Sequence, residues 1–313
     1  MADWRPAAAP ETLRRRAALL AEIRGFFARR GVVEVEPPTL GPPAMDPALE
    51  SLAVDGVPPD GGRRWLQTSP EYAMKRLLAA GSGDIYALGP AWRGGEYGRW
   101  HRPEFTLLEW YRVGFDHHRL MDEVAELAAV VCGPRPVERI SYREAFLAHA
   151  GVDPLAAVEA DLAAAVARAG LSLGGVAVEE RDTLLDLLLS HVVGPALGHV
   201  AATFLHGFPA SQAALARLDD DDPRTARRFE LFLDGLEIAN GYHELTDAAA
   251  QRRRFEAERT ERHGSGLPVY EADEALLAAL EAGIPDCAGV ALGVDRLVAV
   301  ALGARSLAEV RLE

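Results

Sequence analysis

The chain has 313 residues, 49% apolar and 26% charged, an ordinary globular mixture with enough length for one large domain or two modest ones. It carries no run of about 18 apolar residues, which argues against a membrane span. Its net charge of −14 (33 basic against 47 acidic side chains) argues against a grip on long nucleic acid and favours a small-molecule or basic protein partner.

The N-terminal MADWRPAAAPETLRRR lacks the charged start and apolar core of a secretory signal, and residues 1–12 read as a tail. Cys132 and Cys287 form no C-x-x-C pair, which argues against a cysteine metal cluster or disulfide framework and fits a reducing cytoplasm. Residues 13–30 form an amphipathic helical pattern with Leu20, Ile23 and Phe27 on one face and Gly31 as its stop. Pro37, Pro38, Pro42, Pro43 and Pro47 follow, then a loop rich in Gly and Pro over 55–62. A helix over about 70–80 ends at Gly81, and two aromatic-rich strands at 84–93 and 104–113 frame a polar loop. Residues 119–131 are helical. The Ala- and Leu-rich stretch near 141–195 reads as a helical insertion broken at Gly151, Pro154 and Gly174-Gly175. Strand character returns at 199–205 and 228–240, with Asp234-Gly235 as a hairpin turn. Helices at 247–263 and 272–282 precede a terminal strand, a Gly-containing turn and a helix. The fold class is α+β, in one domain over 13–313.

No Gly-rich phosphate loop of either common type is present, so any nucleotide chemistry must come from elsewhere. Three segments could supply it. Arg93 ends a strand and opens a loop with Glu96, Arg99 and His101 before an acidic, aromatic strand; a strand-held arginine can meet a phosphate accurately. Glu237 and Glu244 bracket an Asn-Gly dipeptide, and paired carboxylates near phosphates hold Mg²⁺; the same residues also fit an exposed Asn-Gly turn. Gly289 to Arg296 (GVALGVDR) offers small residues for close approach of a flat base and an arginine opening a helix.

Together these segments resemble the class II aminoacyl-tRNA synthetases, whose shared motifs correspond here to RRGVVEVEPPTL, the Arg93 hairpin and Gly293-Val294-Asp295-Arg296. LQTSPEYAMKRLL, HRPEFTLLEWY, LEIANGYHELTD and PDCAGVALGVDRL look like the lysyl branch, and the resemblance runs from about residue 13 to 311. Because the first helix begins near residue 13, no room is expected for the OB-fold that reads an anticodon. The nearest family is the elongation factor P–(R)-β-lysine ligases, truncated paralogues of lysyl-tRNA synthetase. Ser69 and Ala291 stand where the synthetases usually have Ala and Gly, changes that alter the amino-acid pocket.

The resemblance implies a mostly antiparallel sheet flanked by helices, a homodimer with residues 31–40 at its interface, and a cytoplasmic enzyme using ATP and Mg²⁺. It implies adenylation of (R)-β-lysine or lysine and transfer to a lysine of elongation factor P, with no tRNA and no membrane as partner. Arg93 would meet the α-phosphate and Arg296 the γ-phosphate; Gly95, Glu96, His101, Arg102, Glu237, Ile238 and Gly293 would complete the ATP site. Glu237 and Glu244 would hold Mg²⁺. Ser69, Pro70, Glu71, Glu109, Tyr111, Asn240, Glu244 and Ala291 would hold the amino acid, since a buried ammonium needs carboxylates. The family hairpin commonly reads R-x-E, whereas here Gly95 holds the third position. Glu96 or the Gly95 backbone is therefore expected to take over adenine recognition. Arg102 also stands where Asn is frequent. The alternatives are a minimal lysyl-tRNA synthetase-like enzyme and a non-catalytic paralogue that binds amino acid or ATP.

Other features read as structural. His117-His118 is expected to be a solvated pair and Asp219 to Asp222 an acidic loop. Trp65, Trp92, Trp100 and Trp110 are expected in the core or the pocket wall, and Cys287 as a packing residue.

Overall fold

A computed structural model of the chain describes residues 6–43, 49–172, 180–264, 266 and 268–312. Pro47 of the Pro-rich stretch and the expected break at Gly174-Gly175 lie outside these residues, as does the start of the N-terminal tail. Helix α1 (Pro10–Ala28) begins three residues earlier than the hydrophobic pattern suggests. Pro10 suits a first turn, where its missing N–H would have no partner anyway.

The remaining elements follow in order. Short strands β1 (Val33–Glu34) and β2 (Leu40–Gly41) lead to the hairpin of β3 (Ala53–Val57) and β4 (Gly62–Leu66), which replaces the expected loop over 55–62. Helix α2 (Glu71–Ala79), strands β5 (Ile85–Trp92) and β6 (Glu104–Val113), and helix α3 (His117–Cys132) come next. Strand β7 (Val137–Ser141) opens the insertion, whose helices are α4 (Tyr142–His149), α5 (Glu159–Arg168) and α6 (Arg181–Leu188). Strands β8 (Ala202–Pro209), β9 (Thr225–Leu233) and β10 (Leu236–His243), helices α7 (Ala248–Gly264) and α8 (Glu274–Ala282), strand β11 (Cys287–Gly293) and helix α9 (Val294–Leu302) complete the chain.

Eight strands form one sheet in the order β1-β5-β6-β11-β10-β9-β8-β7, antiparallel except at its two outer pairs, while β2, β4 and β3 form a small second sheet. Asp234 and Gly235, both at positive φ, make the tight turn between β9 and β10. Asn240-Gly241 is not a turn. It sits inside β10, paired with β9 on one side and β11 on the other. The expected Gly-containing turn after β11 is also missing, because β11 runs directly into α9 with Gly293 as the capping position.

The alternation of side chains across these strands creates the site. Leu108 and Trp110, Val290 and Leu292, Ala239, and Phe229 and Leu231 face one way and pack with Ile23, Phe27, Leu120, Val124 and Leu297 of α1, α3 and α9. The residues between them face the other way and form the floor of the site. Over that second face, α2, α7 and α8 pack at one end of the sheet, and the insertion helices pack on β8 and β9 at the other.

The lower core is aromatic at its centre. Phe27 is fully buried, stacks on Tyr86 at 4.4 Å between ring centroids, and meets Trp110 edge-on at 5.3 Å. Phe27→Ala should therefore destabilise the protein by about 3–5 kcal/mol, read from the urea unfolding midpoint. A loss below about 1 kcal/mol would show that this contact does not anchor α1 to the sheet.

Candidate active site

A cavity of about 340 Å³ opens on the upper face of the central strands. Two rows of paired residues cross this face; their members on β6, β11 and β10 line the cavity, and Glu230 and Arg228 on β9 lie beyond the lining. Glu109, Ala291, Asn240 and Glu230 lie across β6, β11, β10 and β9, and Tyr111, Gly289, Tyr242 and Arg228 form the adjacent row. Gly289 is required by its neighbours: a Cβ there would stand 2.3 Å from a Tyr111 ring carbon and 2.5 Å from Glu244 Oε1. The glycine lets both side chains lie over β11.

Glu237 and Glu244 are seven residues apart, an odd spacing that puts side chains on opposite faces of a regular strand. The β9–β10 register slips between Glu237 and Ala239, so one extra residue is accommodated. Ile238 and Ala239 both join the lower core, and Glu237 is brought to the same face as Asn240 and Glu244. All three then line the cavity.

At one end the cavity is an acidic chamber. Glu109 and Glu244 are buried, and Glu71 projects from the first turn of α2. Lys75, one helical turn further on, is also buried and places its Nζ 2.7 Å from Glu71 Oε1 and 2.6 Å from Glu244 Oε2. Burial alone would lower the Lys75 pKa, but Glu244 and Glu71 override it and raise it, so the ammonium stays charged. Tyr111 donates to Glu109 Oε1 at 2.8 Å. Glu109 Oε2 and Glu244 Oε1 are buried and accept no hydrogen bond. Burial, with Glu71 nearby, pushes Glu109 up to about 8 against the pull of Tyr111 and Ser69. Burial pushes Glu244 up to about 7 against Lys75. Three carboxylates and one lysine leave an excess of two negative charges when all are ionised. Two ammonium groups would balance it.

The other end is cationic. Arg93 follows β5 directly, its backbone N–H bonded to Pro103 O, with its guanidinium 5.1 Å from the Phe105 ring centroid. Its Nε is buried without a hydrogen-bond acceptor, and the nearest carboxylate oxygen, Glu96 Oε1, is 4.0 Å from Nη1. Arg296, in the first turn of α9, donates to Trp100 O, Glu237 O and His101 Nε2. Because a guanidinium only donates, His101 accepts and is neutral. Burial and then Arg296 lower its pKa, in keeping with that state. The neighbouring Asp295 fixes α9: it takes Arg16 of α1 at 2.6 Å, the Thr106 N–H of β6 at 2.9 Å, and Arg311. Arg102 turns into its own loop, donating to Gly98 O and His101 O.

Most of the residues singled out in the sequence meet here. Arg93, Glu96, His101, Arg102, Glu237, Ile238, Gly293 and Arg296 line the cavity, as do Ser69, Glu71, Glu109, Tyr111, Asn240, Glu244 and Ala291. Two do not. Pro70 lines an adjoining cavity of about 210 Å³ that shares Ser69 and Glu71 with the first. Gly95, at φ +74°, lies outside the lining while Glu96 lies within it, so of the two expected adenine contacts only Glu96 reaches the cavity. Among the described residues no group of three or more His, Cys, Asp or Glu side chains has metal-binding geometry. Glu237 and Glu244 stand at the two ends of β10, roughly 20 Å apart along an extended strand, so the expectation that they share one Mg²⁺ is not met. Glu237, half-exposed beside Arg296, is the one placed at the cationic end, and Glu244 belongs to the acidic chamber with Lys75.

The sequence reading missed Lys75, hidden in an ordinary helical run, and Arg228, whose place depends on strand register. The expected solvated pair His117-His118 is solvated only in part. His117 is buried, lies 4.1 Å from His118 and 6.2 Å from His243 between ring centroids, and is pushed down to about 3 by burial and its histidine neighbours. His118 alone of the pair is exposed. Asp219, Asp220 and Asp222 pair with Arg227 and Arg224 in a loop, and Cys287 is buried in the core.

Comparison with known proteins identifies the family. The family model for tRNA synthetases class II (D, K and N) matches residues 1–312. The chain is 50% identical over 313 residues to the elongation factor P–(R)-β-lysine ligase of Salmonella gallinarum, spanning 99% of this chain and 96% of that one. It matches the ligase of the same name from Yersinia enterocolitica at 50% identity, over 99% and 96% of the two chains. The Vibrio vulnificus ligase matches at 49%, over 99% and 97%. The chain therefore belongs to the class II tRNA synthetases and, within them, to the group of elongation factor P–(R)-β-lysine ligases.

Proposed function

We propose that this protein uses ATP to adenylate (R)-β-lysine or lysine and joins the activated group to a lysine side chain of elongation factor P in the cytoplasm. The observation that carries this reading is the acidic chamber beside a pair of strand- and helix-held arginines. A dibasic amino acid places its ammonium groups among Glu71, Glu109 and Glu244 and its carboxylate toward Asn240 and Arg93. A carboxylate oxygen attacks the α-phosphorus of ATP, the bond to the β-phosphate oxygen breaks, and pyrophosphate leaves. Arg93, with an uncommitted buried N–H, stabilises the charge that builds on the α-phosphate, and Arg296 holds the γ-phosphate. Glu237, at the cationic end, would help to hold Mg²⁺, which when bound would supply neutralising charge to the pyrophosphate. The acceptor ε-amine then attacks the acyl carbon of the mixed anhydride, the bond to AMP breaks, and the amine gives up a proton as the amide forms.

No helix among the described residues is long and apolar enough to cross a membrane. Strand β1 lies at the sheet edge with Val33 exposed, and this edge is where a second copy would dock to form the homodimer.

Arg93→Ala should lower ATP–pyrophosphate exchange by about 10²- to 10³-fold. Exchange near the parent rate would remove Arg93 from the reaction. Gly289→Ala drives a methyl into Tyr111 and Glu244, so KM for the diamino acid should rise about tenfold or more while KM for ATP stays within about twofold. An unchanged amino-acid KM would contradict the chamber geometry.

The raised carboxylates set a pH dependence. Glu109 and Glu244 bind protons more readily in the folded protein than at their ordinary value of 4.5, so their contribution to apo stability falls as pH rises toward 8. Ammonium groups need the ionised forms. Lysine affinity, measured by calorimetry, should therefore increase from pH 6 to pH 8 with proton release, while the apo melting temperature moves the opposite way. Lysine affinity that is flat across this range would contradict the assignment.

A further inference from the structure

The Asn240 side chain ends in an amide whose two heavy atoms have nearly the same shape, so its role in the cavity depends on which one faces inward. Its partner decides this. Arg228, on the adjacent strand β9, places Nε 3.2 Å from Asn240 Oδ1. A guanidinium carries donors only, so the oxygen must meet Arg228 and the NH₂ group is left for the cavity. The rest of the guanidinium is committed elsewhere. Nη2 donates to the buried Glu230 at 2.6 Å, Nη1 donates to the Gln212 carbonyl at 2.8 Å, and the plane lies 4.3 Å from the Phe208 ring centroid. Gln212 is itself tied to α6 by its side-chain N–H to Asp186 Oδ1 at 2.8 Å. Arg228 is thus braced by β9, by the Gln212 turn and through it by the insertion.

We infer that Arg228 is a positioning residue that locks the Asn240 amide with its NH₂ toward the cavity, making position 240 a carboxylate donor and not a fourth ammonium acceptor. The consequence is polarity. Glu71, Glu109 and Glu244 take cationic groups at one end, and the locked amide accepts only an anionic or carbonyl oxygen beside them. Released from Arg228, the amide could rotate and offer its oxygen to an ammonium, which would admit diamines lacking a carboxylate and blur the orientation of the substrate. The inference rests on the lysine-type substrate proposed above.

The test is binding of lysine and of 1,5-diaminopentane, which has both amines and no carboxylate, measured by calorimetry on the full chain. The variants are Arg228→Lys, Asn240→Ala and the double substitution. Arg228→Lys keeps a cation opposite Glu230, which protects the fold, but loses the planar fork that reaches Asn240 and Gln212 together. The parent protein should prefer lysine, and Arg228→Lys should shrink that preference by about 10- to 100-fold, the range for a hydrogen bond to a charged group. Asn240→Ala should do the same, and the double variant should lose no more than either single one. A preference left intact in Arg228→Lys, or losses that add in the double variant, would overturn the inference, as would a parent protein that binds the diamine as well as lysine. Failure of the ligase reading is seen separately, as absence of ATP–pyrophosphate exchange in the parent protein while the binding preference persists.

Discussion

The site depends on several carboxylates held inside protein, where only cationic partners keep them ionised. Glu109 and Glu244 are removed from solvent, Glu71 is close by, and desolvation alone would protonate them. Lys75 makes the arrangement tolerable by bridging Glu71 and Glu244 from the same helix. It offsets one charge and leaves the others for a ligand. The chamber is therefore electrostatically incomplete until cationic groups enter it. A buried cluster of this kind adds little to stability and much to selectivity, because an apolar ligand would leave the carboxylates unpaired.

Backbone devices aim the side chains. Three strands, β6, β11 and β10, lend residues to the floor, so Glu109, Tyr111, Asn240 and Tyr242 are brought together by register and not by closeness in the chain. The bulge after Glu237 turns one carboxylate onto the face that already carries Glu244. Gly289 removes the one side chain that would separate Tyr111 from Glu244. At the cationic end, Asp295 gathers Arg16, Arg311 and the Thr106 N–H, and so fixes the start of α9 from which Arg296 reaches His101 and Glu237 O. Precision at both ends comes from regular elements, whose positions the packed clusters on both faces of the sheet hold firmly.

Much of this could be read from residue order. Aromatic and aliphatic runs marked β5, β6, β9 and β10, and Asp-Gly marked the turn at 234–235, because these signals act locally. The motifs around Arg93, Glu237, Glu244 and Arg296 pointed to one nucleotide site, and the fold brings them into one cavity. What escaped depends on pairing between distant segments. Asn240-Gly241 has turn chemistry yet lies mid-strand, since ladders on both sides outweigh the local preference. Lys75 has the same helical spacing as any solvated lysine, and only the opposing Glu244 shows its role. Arg228 and His117 are likewise defined by neighbours on other strands and helices. Short pieces such as β1 to β4 gave too little periodicity to be seen.

The central claim is that an acidic chamber selects an amino acid with two ammonium groups for activation by ATP. The most direct measurement is ATP–pyrophosphate exchange with (R)-β-lysine, lysine and norleucine, the last matching lysine in shape but lacking the distal amine. The account predicts exchange with at least one of the two diamino acids and a kcat/KM for norleucine lower by about 10⁴-fold, the discrimination expected where buried polar groups are left unpaired. Norleucine supporting exchange as well as the diamino acids would contradict it.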